Sequence, residues 1–305
     1  MSADPFDSPD QPVRRTKDGR PYVYDLTKRK EAAFTRVTSF IDVLEDKSAL
    51  GSWYERMVLL GVRDDTQVGR ELMALPPIPP LSDDPSYEEV VERNGRLDEE
   101  KKALNAIALA AKDGAGWKDR ADLGTRLHEL TEHADGSGSG LVPDGTPEVL
   151  RRDVAAYREA LELHGLEVVE AEVFVANDQV RAAGTFDRLY LWHRPDGSTL
   201  RVIGDLKTGR VDYGHGKLAM QLALYAHSRR YDPARPTARE PLYASEEVGL
   251  IVHLPAGRAE CRVYAVDLVA GWEGVLLADR VREWRRRSAR GMLNDLALDA
   301  DLLGR

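Results

Sequence analysis

Asp205 and Lys207 stand two apart in Val202-Ile203-Gly204-Asp205-Leu206-Lys207-Thr208-Gly209. On a β-strand that spacing puts both side chains on one face. Alone, D-x-K is a frequent chance match, equally an exposed ion pair at a strand end. A second carboxylate, Asp187, lies in Gly184-Thr185-Phe186-Asp187-Arg188, directly before the apolar run Leu189–Trp192. Burying a carboxylate without a partner is expensive. If the two segments are neighbouring strands, Asp187 and Asp205 approach each other, and like charges repel unless a cation sits between them. A hard divalent ion is the simplest such cation. Gln221 and Tyr225 are four apart, so on a helix they share a face. In isolation they read as the polar seam of an amphipathic helix; after a D-x-K strand they read as orienting groups. His128, in Gly124-Thr125-Arg126-Leu127-His128-Glu129, is a lone helical histidine. His133 follows five residues later, which is not a same-face metal pair.

The elements that must position these residues follow from pattern. A helix is expected from about Thr38, with Val37, Ile41, Leu44, Leu50 and Trp53 as apolar positions and Thr38 or Ser39 as N-cap. Leu75–Leu81 (LPPIPPL) cannot be helical, and reads as a rigid connector in preference to an SH3-type ligand. Ser86 caps a long helix to Lys112, and Ala121–Ala134 forms another that ends in the loop DGSGSG. Thr146-Pro147 starts a helix that stops at Gly165. The period then becomes two: Leu166–Ala176, Val180–Trp192 and Thr199–Lys207 read as strands. A helix at Lys217–Tyr231, strands near Val248–Leu254 and Cys261–Val266, and a helix at Gly271–Arg290 complete the chain. The fold class expected is α/β with a mixed sheet flanked by helices. Residues 1–20 read as a disordered tail. Residues 21–305 read as one domain, with a mainly helical part over 21–145 and an αβββαββα core over 146–305.

Composition narrows the function classes. The 305 residues carry 43 Lys and Arg against 52 Asp and Glu, a net charge of −9, which argues against coating nucleic acid by bulk charge but permits a locally basic groove. The single cysteine, Cys261, excludes an intramolecular disulfide, a cysteine zinc cluster and a four-cysteine iron–sulfur cluster. No apolar run is long enough to span a bilayer, and Met1–Asp10 is acidic and Pro-containing without an apolar h-region and does not read as a signal peptide, so a cytoplasmic protein without membrane contact is expected. Gly214-His215-Gly216-Lys217 lacks the first glycine and the Ser/Thr of a P-loop, so no fused motor is expected.

GxxxH, GxxDR, DxK and QxxxY occur in that order between Gly124 and Tyr225. In this the sequence resembles the PD-(D/E)XK nuclease superfamily, specifically its RecB-like branch, which includes the CRISPR-associated exonucleases and phage relatives. The resemblance implies a restriction-endonuclease-like core. It implies that His128, Asp187 and Asp205, with the Leu206 carbonyl, hold one or two Mg²⁺ or Mn²⁺ ions. Lys207 would then position or deprotonate the attacking water, and Gln221 and Tyr225 would orient Lys207 or the scissile strand. Glu172 or Glu170 is a further carboxylate of lower rank. The activity implied is an exonuclease acting at DNA ends in recombination, replication or repair. Alternatives are a structure-specific endonuclease of the same fold and a non-catalytic DNA-binding or assembly subunit. The partners implied are DNA and a recombinase, a single-strand-annealing protein or a separate helicase. Arg188, Arg282 and Arg286 are the candidate DNA contacts. The C-terminal helix is basic through Arg280, Arg282, Arg285, Arg286, Arg287 and Arg290, which equally fits a solvated face.

Overall fold

The computed structural model describes residues 13–78, 80–136 and 142–288. A hairpin of β1 (Tyr22–Asp25) and β2 (Lys30–Ala33) opens the chain, followed by the short β3 (Thr35–Arg36) and α1 (Val37–Ile41). Then come α2 (Ser48–Asp64), α3 (Thr66–Met73), α4 (Tyr87–Gly114), α5 (Asp119–Gly136) and α6 (Glu148–Leu163). The remainder alternates: β4 (Leu166–Asn177), β5 (Ala182–His193), β6 (Thr199–Lys207), α7 (His215–Ala226), β7 (Arg229–Arg230), β8 (Val248–His253), β9 (Arg262–Asp267) and α8 (Leu268–Ser288).

Where the sequence reads as one domain over 21–305, contacts divide the described chain into two compact units. One holds the described residues up to Glu45 and from Gly124 onward, the other Asp46–Leu123. The second unit is helical and small-cored: Val68, Ile107 and Ala111 are buried, with Val58, Val62, Leu72 and Leu75 packed on them. Its Gly61 permits close helix contact, since a Cβ there would lie 1.9 Å from the Ala111 carbonyl oxygen. Ser86 and Glu89 form the expected capping box at the start of α4. The described residues of LPPIPPL are neither helix nor strand.

The larger unit is a mixed α/β layer structure. Its sheet runs β7-β4-β5-β6-β8-β9, with β3 beside the start of β5. Neighbours are antiparallel except β3–β5 and β6–β8. Alternation along β5 and β6 sends Leu189 and Ile203 into one core, with α1, α7 and α8. Tyr190 and Val202 enter the opposite core, with α5 and α6. The sheet is therefore buried on both faces, which is why its strands read as long apolar runs. Among the described residues no helix is long and apolar enough to cross a membrane.

Several expectations need correction. The helix expected through Trp53 is broken: α1 stops at Ile41, a 3-10 turn follows at Asp42–Leu44, and α2 begins at Ser48. Its N-cap is Arg36, not Thr38 or Ser39. The break is held from outside, because Lys217 bridges Asp42 and Glu45 at 2.8 and 2.6 Å. The same contact explains Lys217, which serves packing and no phosphate loop. The helix expected to Tyr231 ends at Ala226, and β7 takes the next residues to the sheet edge. The part over 21–145 also contains β1, β2 and β3, and residues 13–20 are tied by an Arg15–Pro21 bridge and by Tyr22 N–H donating to the Arg14 carbonyl. Residues 1–12 of the expected tail, and Arg290, lie outside the described residues.

Asp153 shows how one buried charge holds a loop. It is fully buried on α6 and accepts the backbone N–H groups of Gly257 and Ala259 at 2.6 and 2.8 Å. Asp153→Ala leaves two donors unsatisfied and is expected to cost about 2–4 kcal/mol in urea denaturation. A loss below 0.5 kcal/mol would show that water replaces the carboxylate.

Candidate active site

The register of β5 and β6 brings the two carboxylates together. The ladder ends at the pair Arg188–Gly204, so Asp187 and Asp205 face each other one step beyond, where the strands part. Asp187 Oδ2 accepts the Leu206 N–H at 2.8 Å, which locks its side chain across the gap. Asp205 is buried, only 3 % exposed, and Lys207 Nζ lies 2.6 Å from its Oδ2. That ammonium is the contact Oδ2 makes among the described residues. Burial and the nearby Asp187 charge push the Asp205 carboxyl up to about 6. Burial likewise raises Asp187.

Two glycines of the motifs work by making room. A Cβ at Gly124 would sit 2.6 Å from Thr208 Oγ1, so glycine lets α5 approach the end of β6. One turn later on α5, His128 Nδ1 reaches to 3.6 Å from Asp187 Oδ2 and lies against the Leu206 backbone. Burial lowers its pKa, which favours the neutral imidazole that ligates metals. A Cβ at Gly184 would press to 3.2 Å from the Tyr225 hydroxyl, so the glycine of GxxD leaves space for the tyrosine of QxxxY. Gln221 Nε2 donates to Asp205 Oδ1 at 2.9 Å and also meets the Tyr225 hydroxyl. Tyr225 packs against Phe186 in a tilted arrangement, 5.9 Å between centroids and 55° between planes, and burial raises its pKa. Gln221 therefore holds Asp205, whereas the sequence pointed to Lys207 or the substrate.

Of the two further carboxylates, Glu172 belongs to the site and Glu170 does not. Glu170 is bound bidentately by Arg230, one contact being 2.7 Å. Glu172 lies between the ladder pairs Ala171–Arg188 and Val173–Phe186, beside Asp187, with φ +50°. A non-glycine residue in the left-handed region within a strand is strained, and such strain gathers at functional sites. Burial, then Asp187, pushes its carboxyl to about 7. The folded pKa thus exceeds the ordinary 4.5. The stability this supplies is complete below pH 4.5 and is lost as pH rises through about 7. Glu172→Gln keeps the neutral form at every pH. In EDTA the variant is expected to match the parent's Tm near pH 4 and to exceed it by about pH 8. A parent–variant difference constant across that range would refute the assignment.

Arg188 overturns an expectation. It is 1 % exposed and cannot touch DNA. It donates to Asp135 Oδ2 at 2.7 Å, Thr131 Oγ1 at 3.2 Å and the Asp187 carbonyl at 3.1 Å, with Glu172 at 3.9 Å. Asp135 and Thr131 are partners the sequence did not flag, since neither belongs to a motif. Arg282 and Arg286 stand elsewhere, on α8, lining a separate cleft.

The donor set suits a hard divalent cation. Burial raises both carboxyls and the Asp187 charge adds to the rise at Asp205, whose Oδ2 is turned to the Lys207 ammonium, and a histidine whose burial favours the neutral imidazole stands beside them against the Leu206 backbone. Among the described residues no three His, Cys, Asp or Glu side chains already converge at ligating distance; Lys207 covers Asp205. Compared with known proteins, the chain matches no family model, and no curated sequence matches it at a significant level.

Proposed function

We propose that the chain is a Mg²⁺- or Mn²⁺-dependent deoxyribonuclease with a restriction-endonuclease-like core of the PD-(D/E)XK type, acting as an exonuclease at DNA ends. The observation that carries this reading is the meeting of Asp187, Asp205 and Lys207 where β5 and β6 part, with His128 arriving from α5 and Gln221 from α7. Five residues from four elements meet at one place, which chance motif matches have no reason to do.

The residues that would hold the metal are His128, Asp187 and Asp205, with the Leu206 carbonyl. A bound divalent ion supplies an acidified water and neutralises phosphate charge. The chain's own groups do the rest. Lys207 is a flexible cation beside the carboxylates, able to leave Asp205 for a phosphate oxygen or the attacking water. Gln221 fixes Asp205 Oδ1, and the Leu206 N–H fixes Asp187 Oδ2, so one oxygen of each carboxylate stays oriented as Lys207 moves. Glu172, pushed to about 7, is divided between its neutral and ionised forms near neutral pH and adds a group able to give or take a proton beside the same centre.

The test is cleavage of end-labelled linear duplex, covalently closed circle and single strand with Mg²⁺, Mn²⁺ or EDTA. Metal-dependent loss of linear DNA with circles spared is expected. Cut circles would replace exonuclease by endonuclease. No cleavage with DNA binding kept would leave a binding subunit as the reading.

A further inference from the structure

A second site lies away from the carboxylates. A cleft of about 820 Å³ is formed by the β1–β2 hairpin, β3, α1, the turn before β5 and α8. Six cations line it, Arg20, Lys28, Arg181, Arg282, Arg285 and Arg286, against three carboxylates, Asp42, Asp279 and Glu283. In a chain of net charge −9 this is a local inversion of sign. Of the carboxylates, Asp42 is already neutralised by Lys217.

Of the cations, Arg181 is already paired with Asp25, while Arg20, Lys28, Arg282 and Arg286 make no salt bridge with a described residue. The Arg20 side chain donates to the carbonyls of Ala33 and Phe34. Arg282 is placed by a 2.6 Å bond to Thr35 Oγ1 and by the Phe40 ring 4.6 Å away, while its buried Nε has no hydrogen-bond partner among the described residues. Burial, and then the neighbouring Arg286 charge, lower the Arg282 pKa, a repulsion that a bound anion relieves. The side chains of Lys28 and Arg286 make no salt bridge with a described residue. Neutral donors, Thr35, Ser39 and Gln179, complete the lining, and no aromatic ring is among the described residues that line it. Charge with hydroxyl and amide donors, and no surface for stacking, matches phosphate and not base.

The cleft begins at Val180 and Arg181, just before β5, and Asp187 lies five residues beyond Ala182. At about 3.3 Å per strand residue that is roughly 17 Å, or about five nucleotides at 3.4 Å each along a duplex. We propose that this cleft is a phosphate anchor that grips the nucleic-acid backbone, independently of base sequence, about five nucleotides from the Asp187–Asp205 centre. The inference rests on the nuclease reading.

Lys28→Gln/Arg286→Gln in the full chain tests it, since neither side chain supports the fold through a salt bridge. Binding of a labelled 20-mer duplex is measured in EDTA from 50 to 200 mM salt. The variant is expected to bind on the order of tenfold more weakly at low salt, with a salt slope shallower by about 2. In cleavage with metal, KM for the 20-mer rises with kcat kept, while a four-nucleotide substrate, too short to span the gap, is cut equally by both proteins. Cleavage by the parent with an unchanged slope and KM in the variant would overturn the anchor and spare the nuclease reading. Parent binding that depends on the cleft, with no cleavage of any DNA, would support the anchor and count against the nuclease reading. Displacement of the 20-mer by tripolyphosphate as effectively as by unlabelled DNA, at equal phosphate, would overturn the backbone assignment in favour of a small polyphosphate.

Discussion

Lys207→Ala is expected to slow metal-dependent DNA cleavage by roughly 10²–10⁴-fold, the usual worth of a positioned proton-transfer or charge-stabilising side chain. The reason is its place. Lys207 ends β6 on the same face as Asp205, with the ammonium 2.6 Å from the carboxylate and about a third of the side chain still open to solvent. It is near enough to the carboxylates to act on a water held by them, and exposed enough to meet a phosphate. The fold is expected to survive the change. Asp205 loses a cation, but its carboxyl, already at about 6, takes a proton more readily and keeps the Gln221 contact. Single-turnover cleavage at saturating Mn²⁺, with circular dichroism on the same samples, checks both halves. Lys207→Arg is not expected to restore the rate, because a planar, multiply hydrogen-bonding guanidinium is not a compact ammonium. A Lys207→Ala protein that cleaves within threefold of the parent would remove Lys207 from the mechanism, and with it the main support for the nuclease reading.

Arg188→Met is expected to destabilise the protein by about 3–5 kcal/mol, the cost of removing one partner from a buried ion pair. Arg188 lies under the sheet, bonded to Asp135, Thr131 and the Asp187 carbonyl. Among the described residues Asp135 has one further donor, the Tyr157 hydroxyl at 3.1 Å, and burial already pushes its carboxyl up. Without the guanidinium it is a buried anion facing a phenol, and α5 loses its tie to β5. His128 rides on α5, so metal-dependent activity is expected to fall with stability, although Arg188 touches no substrate. Urea denaturation measures the first effect. Adding Asp135→Leu removes the orphaned charge and is expected to recover most of the loss, since apolar replacement of a whole buried pair is often neutral. Weaker DNA binding by Arg188→Met at unchanged stability would instead return Arg188 to the role of a DNA contact.

The sequence by itself determines what depends on neighbours along the chain. Period-two patterning places β4, β5 and β6, and the same period puts Asp205 and Lys207 on one face. Ser86 with Glu89 marks the start of α4, and Gly165, at φ +63°, marks the end of α6. The order of GxxxH, GxxDR, DxK and QxxxY singles out the residues that converge. What only the tertiary structure decides depends on partners distant in sequence. Arg188 reads as a free cation because Asp135, which buries it, is 53 positions away and in no motif. Glu170 and Glu172 look alike until Arg230 claims the first and a left-handed backbone turns the second towards Asp187. The helix after Thr38 breaks because Lys217, far along the chain, binds Asp42 and Glu45. The cationic cleft gathers residues from 20 to 43, 179 to 181 and 279 to 286; the last stretch reads as basic in the sequence, but which cations share a surface with it does not. Local propensity and periodicity are short-ranged and written in consecutive residues, whereas burial, ion pairing and local potential belong to surfaces that exist only once the sheet has closed.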